Sequence, residues 1–142
     1  MKLKISALIF FVVLLTVSCV TGPVYIPENL SPPELIQRGQ EASDRNRFAN
    51  AIQFYETLIE RFPNDIDYII AAEYEIAFIY YRRGQFDEAR PRFNAILERY
   101  NAPYGVLLPP QFRVLSLRLL EIMDEIESDE TGRLKRQHVR RR

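Results

Sequence analysis

The chain has one cysteine, Cys19, and it stands within the longest uncharged run of the sequence. A thiol can act as a nucleophile, bind a metal, close a disulfide or accept a lipid. A lone cysteine closes no internal bridge, so the redox compartment is not legible from disulfides. The only histidine, His138, lies in a basic tail, where a general base would have no pocket around it. The five glycines are scattered and make no phosphate-cradling loop. Glu121, Asp124, Glu125, Glu127, Asp129 and Glu130 form an acidic run. It lacks the alternating spacing and turn glycine of a calcium loop and reads as the solvated end of a helix. Catalysis has little to work with. The expectation is a protein that is not an enzyme and holds no metal or organic cofactor.

Residues 1–4 are a short basic leader, and residues 5–17 follow without a charge. That length fits a secretory apolar segment of ~7–15 residues and falls short of the ~20 that a spanning helix needs. Gly22 and Pro23 end the run. Leu15, Thr16, Val17 and Ser18 precede Cys19, which resembles a relaxed bacterial lipobox: a small residue sits directly before the cysteine, and the leucine stands one position early. The resemblance implies a signal peptide over residues 1–18. It also implies covalent diacylglycerol and an N-acyl chain on Cys19, the only non-protein group expected. Each buried CH₂ contributes ~0.8 kcal/mol, so two or more chains hold a protein at a membrane where one does not. Val20 lacks the aspartate that retains enteric lipoproteins at the inner membrane, which points to the outer membrane, facing the periplasm. The alternative is an uncleaved apolar helix with an inert cysteine. Residues 19–31 contain Pro23 and Pro27 and read as an extended linker.

Of the 142 residues, 19 are Lys or Arg and 19 are Asp or Glu, yet the balance is uneven along the chain. Between Cys19 and Thr131 there are 11 basic against 19 acidic residues, a net charge of −8. Arg133, Lys135, Arg136, Arg140, Arg141 and Arg142 follow the last acidic residue. An acidic body is a poor partner for nucleic acid, whose phosphates require clustered cations. The basic segment 128–142 reads as a disordered, solvated tail that can also meet an anionic surface.

The strongest internal signal is a repeat. NRFANAIQFYETLIERF (46–62) aligns with GQFDEARPRFNAILERY (84–100) at a shift of 38. Phe48 falls on Phe86, Ala51 on Ala89, Tyr55 on Phe93, and Leu58 on Ile96. Steps of 3, 4 and 3 put these four on one helical face. Twelve residues before each alanine stands a small residue, Gly39 or Ala77, which lets two helix backbones approach closely. Each unit therefore reads as a helix hairpin, with tight turns at residues 45–47 and 83–85.

These residues resemble the tetratricopeptide repeat. The first copy carries its pattern with Leu35, Gly39, Ala51, Tyr55 and Pro63, departing at Arg38 and Ala42. The second carries it with Ile76, Ala77, Tyr80, Gly84, Phe86, Ala89 and Phe93, with Pro103 coming late. The period exceeds the usual 34 by about one helical turn, which predicts a long helix over 66–83. Together with the lipobox, the pattern is similar to that of BamD-like envelope lipoproteins. The implied fold is all-α: a helical domain over 32–127 made of two repeats and a fifth helix that caps them. Phe112, Leu115, Leu119, Ile122 and Ile126 form the apolar stripe of that helix. Pro91 falls inside the fourth helix and predicts a kink or a late start. A short stack of this kind needs its ends covered, at the near end by the linker, a partner or self-association.

In the tetratricopeptide pattern the first helix of each pair lines a concave face. On this chain that implies Ile36, Gln40, Ser43 and Asp44 from the first unit, and Tyr74, Phe78, Tyr81 and Arg82 from the second. Aromatics and arginine dominate interface energetics, so the surface suits a protein or peptide segment. Tyr74 and Phe78 have the alternative of packing against the neighbouring hairpin or the fifth helix. The function expected is that of a membrane-anchored adaptor or envelope assembly-factor subunit. The alternative is a structural envelope protein that self-associates, or bridges membrane and cell wall through its basic tail.

Overall fold

The structure, a computed structural model, describes residue 22 and residues 24–140. Cys19 and the segment around it lie outside the described residues, as do Arg141 and Arg142. Five helices follow one another: α1 (Pro32–Asp44), α2 (Phe48–Arg61), α3 (Ile66–Arg82), α4 (Phe86–Asn101) and α5 (Pro110–Arg140). A 3₁₀ turn, Gly105–Leu107, precedes α5. No strand occurs among the described residues. The architecture is all-α, as the repeat predicts.

Local chemistry sets the helix ends. At the start of α1, Pro32 and Pro33 occupy first-turn positions, where a missing amide costs nothing. The Glu34 carboxylate accepts from the Ser31 amide at 2.8 Å and the Ser31 hydroxyl at 2.6 Å. Those bonds hold its pKa below the ordinary value. Both hairpin turns close the same way. The Arg47 amide donates to the Ala42 carbonyl at 2.8 Å, and the Asn46 amide to Ser43 at 2.9 Å. In the second unit Gln85 donates to Tyr80 at 3.0 Å and Gly84 to Tyr81 at 2.9 Å. This pair of bonds is a Schellman ending, which demands a left-handed residue. Asn46 (φ 57°) and Gly84 (φ 68°) supply it. α3 has 17 residues against 13 in α1. The extra turn inferred from the long period is there.

Helix-to-helix packing rests on the small residues. Gly39, Ala51, Tyr55 and Leu58 are fully or almost fully buried in the first unit, as are Ala77, Ala89, Phe93 and Ile96 in the second. A Cβ placed on Gly39 would meet the Tyr55 ring well inside van der Waals contact. The first core gathers these with Leu30, Leu35, Ile69, Ala72 and Ile79. The second joins Tyr74, Ala77 and Phe93 to Leu119 and Met123 of α5. On the hairpin before it, α5 packs more on α4 than on α3, as α3 packs more on α2 than on α1. It therefore occupies the place of the first helix of a third repeat.

The near end is sealed by the chain itself. Residues 24–30 do not hang free but lie along the first hairpin. The Val24 amide donates to Gln53 Oε1 at 3.0 Å, and Gln53 Nε2 donates to the Val24 carbonyl at 3.1 Å. Arg61 donates to the carbonyls of Pro27 at 2.8 Å and Ile26 at 3.3 Å. Val24, Ile26 and Leu30 pack against the first core.

Three expectations are corrected. α4 begins at Phe86 and runs unbroken through Pro91, so the start is not late. Pro91 and Asp87 are both exposed; the Asp87 carbonyl that loses its amide donor stays within reach of solvent. The stripe of α5 is rotated. Ser116 and Met123 are fully buried and Leu119 nearly so, while Leu115 and Ile126 remain 42% and 38% exposed. α5 is apolar around most of its first turns, so periodicity alone does not choose the sector that faces α4. The close approach is made at small Ser116. Finally, α5 continues through residues 128–140, where a disordered tail was expected. An acidic stretch followed by a basic C-terminal end suits the helix dipole and spaces opposite charges four apart.

Tyr55 offers a clean test of this packing. Its hydroxyl is buried, with no hydrogen-bond partner among the described residues. An unsatisfied buried hydroxyl costs ~1–3 kcal/mol, so Tyr55→Phe should raise stability by about 1 kcal/mol. Gly39→Ala gains ~1 kcal/mol of helix propensity but overpacks the ring at ~1–3 kcal/mol, for a net loss. Thermal unfolding followed by circular dichroism should show the two shifts with opposite sign.

Candidate functional site

The concave side is built by α1 and α3, and the structure joins them through polar contacts. Gln40 Nε2 donates to Glu75 Oε1 at 3.1 Å. Arg82 Nη1 donates to Ser43 Oγ at 3.0 Å, and its guanidinium lies 5.3 Å from the Phe48 ring centroid. Gln40, Ser43 and Arg82, three of the residues expected to face a partner, thus also tie the two repeats together. Ser43 is buried and Ile36 half-buried against the first core. Gln40, Asp44 and Arg82 keep exposed surface.

The second half of this side is an aromatic ridge. Tyr74 stacks on Phe78 at 6.0 Å, Phe78 on Tyr81 at 5.9 Å, and Tyr81 on Phe86 at 5.8 Å. Tyr74 is the inner end. It is 8% exposed and meets Phe93 at 5.8 Å and Phe112 of α5 at 5.3 Å. Of the two alternatives open for Tyr74, the structure takes packing, and burial pushes its phenol up to about 12. Phe78 and Tyr81 are partly exposed. The accessible surface therefore runs from Gln40 and Asp44, across Arg82, to Tyr81 and Phe78.

Glu75 is the residue that pattern reading missed. Its neighbours in sequence are apolar or small, and only the bond to Gln40 reveals its side. Burial raises its pKa; Gln40 pulls it down, Asp44 raises it, and Arg82 lowers it. The acidic run, expected at a helix end, lies in the middle of α5, where Asp124 and Glu127 accept from Arg90 at 2.7 and 2.8 Å. On the second hairpin a cleft of about 180 Å³ lies between α3 and α4, lined by Ile76, Ala95 and Ile96. Arg99 and Glu73 pair at its rim.

The Glu75 shift makes a pH prediction. A carboxyl raised in the native state binds more protons there than when unfolded. Stability is therefore lost as pH climbs from the unfolded value, ~4.3, through the native one. Glu75→Gln removes that loss and keeps an acceptor for Gln40. Urea unfolding at pH 4 and pH 7 should show the variant gaining on the parent at the higher pH. An equal difference at both would contradict the assignment.

The tetratricopeptide repeat family model matches residues 37–65 and 71–100. An uncharacterized protein of Treponema pallidum (strain Nichols) is 35% identical over 92 residues, which cover 65% of this chain and 37% of that protein. The chain thus spans little more than a third of the length of this relative. No solved structure matches. Among the described residues no helix is long and apolar enough to cross a membrane. The hairpin geometry, the Gly39–Tyr55 contact and the family match agree: α1–α4 are two helix hairpins similar to tetratricopeptide repeats, followed by a fifth helix in a short all-α solenoid.

Proposed function

We propose that the chain is an exported, lipid-anchored protein of the bacterial envelope whose concave side holds a segment of a protein partner, as an adaptor or an assembly-factor subunit. The observation that carries the reading is the exposed surface of α1 and α3, where Asp44 and Arg82 stand beside Phe78 and Tyr81 on a tetratricopeptide framework. A partner segment that suits it brings an apolar side chain for the ridge and a polar one for the acidic and basic pair. The anchor is supported by the basic leader, the uncharged run and the residues before Cys19. A lipid at that point would confine the search for a partner to a surface.

Two experiments address the two halves. Tyr81→Ala with Arg82→Ala should abolish recovery of the crosslinked partner from native membranes, while a chain lacking residues 133–142 keeps it. The reverse outcome would favour a bridge made by the basic segment. Intact-mass measurement of membrane-extracted protein should give a chain beginning at Cys19 with diacylglycerol and an acyl chain added. An unmodified Cys19 in an uncleaved chain would refute the anchor.

A further inference from the structure

α5 carries more apolar surface than the body covers. Phe112, Ser116, Leu119 and Met123 turn toward α3 and α4. A second strip lies along one flank, with Leu115 and Ile126 42% and 38% exposed and half-buried Ile122 between them. With Leu119 at its inner edge, the strip reads 115, 119, 122, 126, the 4-3-4 spacing of a seam between two helices. That spacing is symmetric about a point between Leu120 and Glu121. Turned end for end, Leu115 falls on Ile126 and Leu119 on Ile122. The strip is its own complement in the antiparallel sense.

The charges have the same symmetry. Residues 110–120 carry Arg113 and Arg118 and no acidic residue; residues 121–130 carry six acidic residues and no basic one. Within one copy Arg118 reaches Glu121 at 2.5 Å, while Arg90 occupies Asp124 and Glu127. Glu125 has no salt bridge among the described residues. Antiparallel pairing lays the basic half of one helix on the acidic half of the other. Parallel pairing would set acidic against acidic. Arg118 and Glu125 stand seven residues apart beside the strip, so Arg118 of each copy faces Glu125 of the other, twice by symmetry. The helix has 31 residues, ~46 Å at 1.5 Å each, about twice the length of the body helices. It offers a partner helix room that the body does not use.

We infer that the occupant of this strip is a second copy of this chain, docked with the two α5 helices antiparallel, Leu115 against Ile126 and Arg118 against Glu125. The near end of the stack is sealed by residues 24–30; α5 closes the far end and, through its free flank, joins two stacks. None of the four residues belongs to the concave set, so this pairing stands or falls apart from partner capture.

The test uses the full chain purified in detergent, with sedimentation velocity at micromolar concentration and the detergent mass subtracted. The parent should sediment as a dimer. Leu115→Glu with Ile126→Glu should sediment as a monomer with the parent's circular dichroism, because both side chains are exposed and the fold does not need them. Arg118→Glu and Glu125→Arg should each weaken the dimer about tenfold, and the double reversal should restore it. A monomeric parent would overturn the inference, as would a dimer that survives both glutamates. A double reversal weaker than either single change would overturn the antiparallel arrangement.

Discussion

The structure depends on one contact made twice: a large ring on the second helix of each hairpin, set against a residue with almost no side chain on the first. Tyr55 against Gly39 is the extreme case, where even a methyl group would overlap the ring. Close approach of the backbones is what allows Ala51 and Leu58 to reach full burial within the same hairpin. Phe93 opposite Ala77 repeats the arrangement, with Ala89 and Ile96 buried beside it. A small side chain at this one position lets each unit close. That in turn fixes where the outer helices stand and which of their residues reach solvent.

The same logic explains how the two ends of this stack are covered. Each end exposes a helix face that a neighbouring repeat would otherwise cover. At the near end a few extended residues suffice, because Gln53 and Arg61 satisfy the carbonyls and the amide that an extended segment cannot pair within itself. Polar groups brought against an apolar surface cost several kcal/mol unless paired, so these two side chains make the docking possible. At the far end α5 brings its own paired backbone and needs no such help. It contributes bulk instead, through Phe112, Leu119 and Met123.

Much of this was legible in the residues, for a physical reason. Duplication converts a weak pattern into a strong one: Phe48, Ala51, Tyr55 and Leu58 could be accident, but their recurrence at 86, 89, 93 and 96 could not. The turn residues were legible because Asn and Gly are the types that tolerate a positive φ. The rotation of α5 was not, since Leu115 and Leu119 are equally apolar and only contact with α4 chooses between them. Nor was the docking of residues 24–30, whose proline content signals extended backbone but not what that backbone touches. Pro91 misled because its cost was assigned to the helix as a whole. On an exposed face, in the second turn, one lost amide bond is outweighed by the burial of Ala89, Phe93 and Ile96 around it.

On the concave side the residues proposed for recognition also join the elements to one another. Where α1 meets α3 the joints are hydrogen bonds, Gln40 to Glu75 and Arg82 to Ser43. Where α3 meets α5 the joint is aromatic, Tyr74 on Phe112. A polar joint at a half-exposed position is weak, ~0.5–1.5 kcal/mol for a neutral hydrogen bond and somewhat more with a charge, and it can be exchanged for bonds to a partner at little net cost. An aromatic joint is lost only by exposing its rings. The two repeats can therefore give up these polar contacts to an incoming segment while the apolar packing of α3, on the first hairpin and on α5, holds. Arg82 stands where the two roles meet. Its side chain touches the first repeat at Ser43 and Phe48 and keeps exposed surface next to Tyr81.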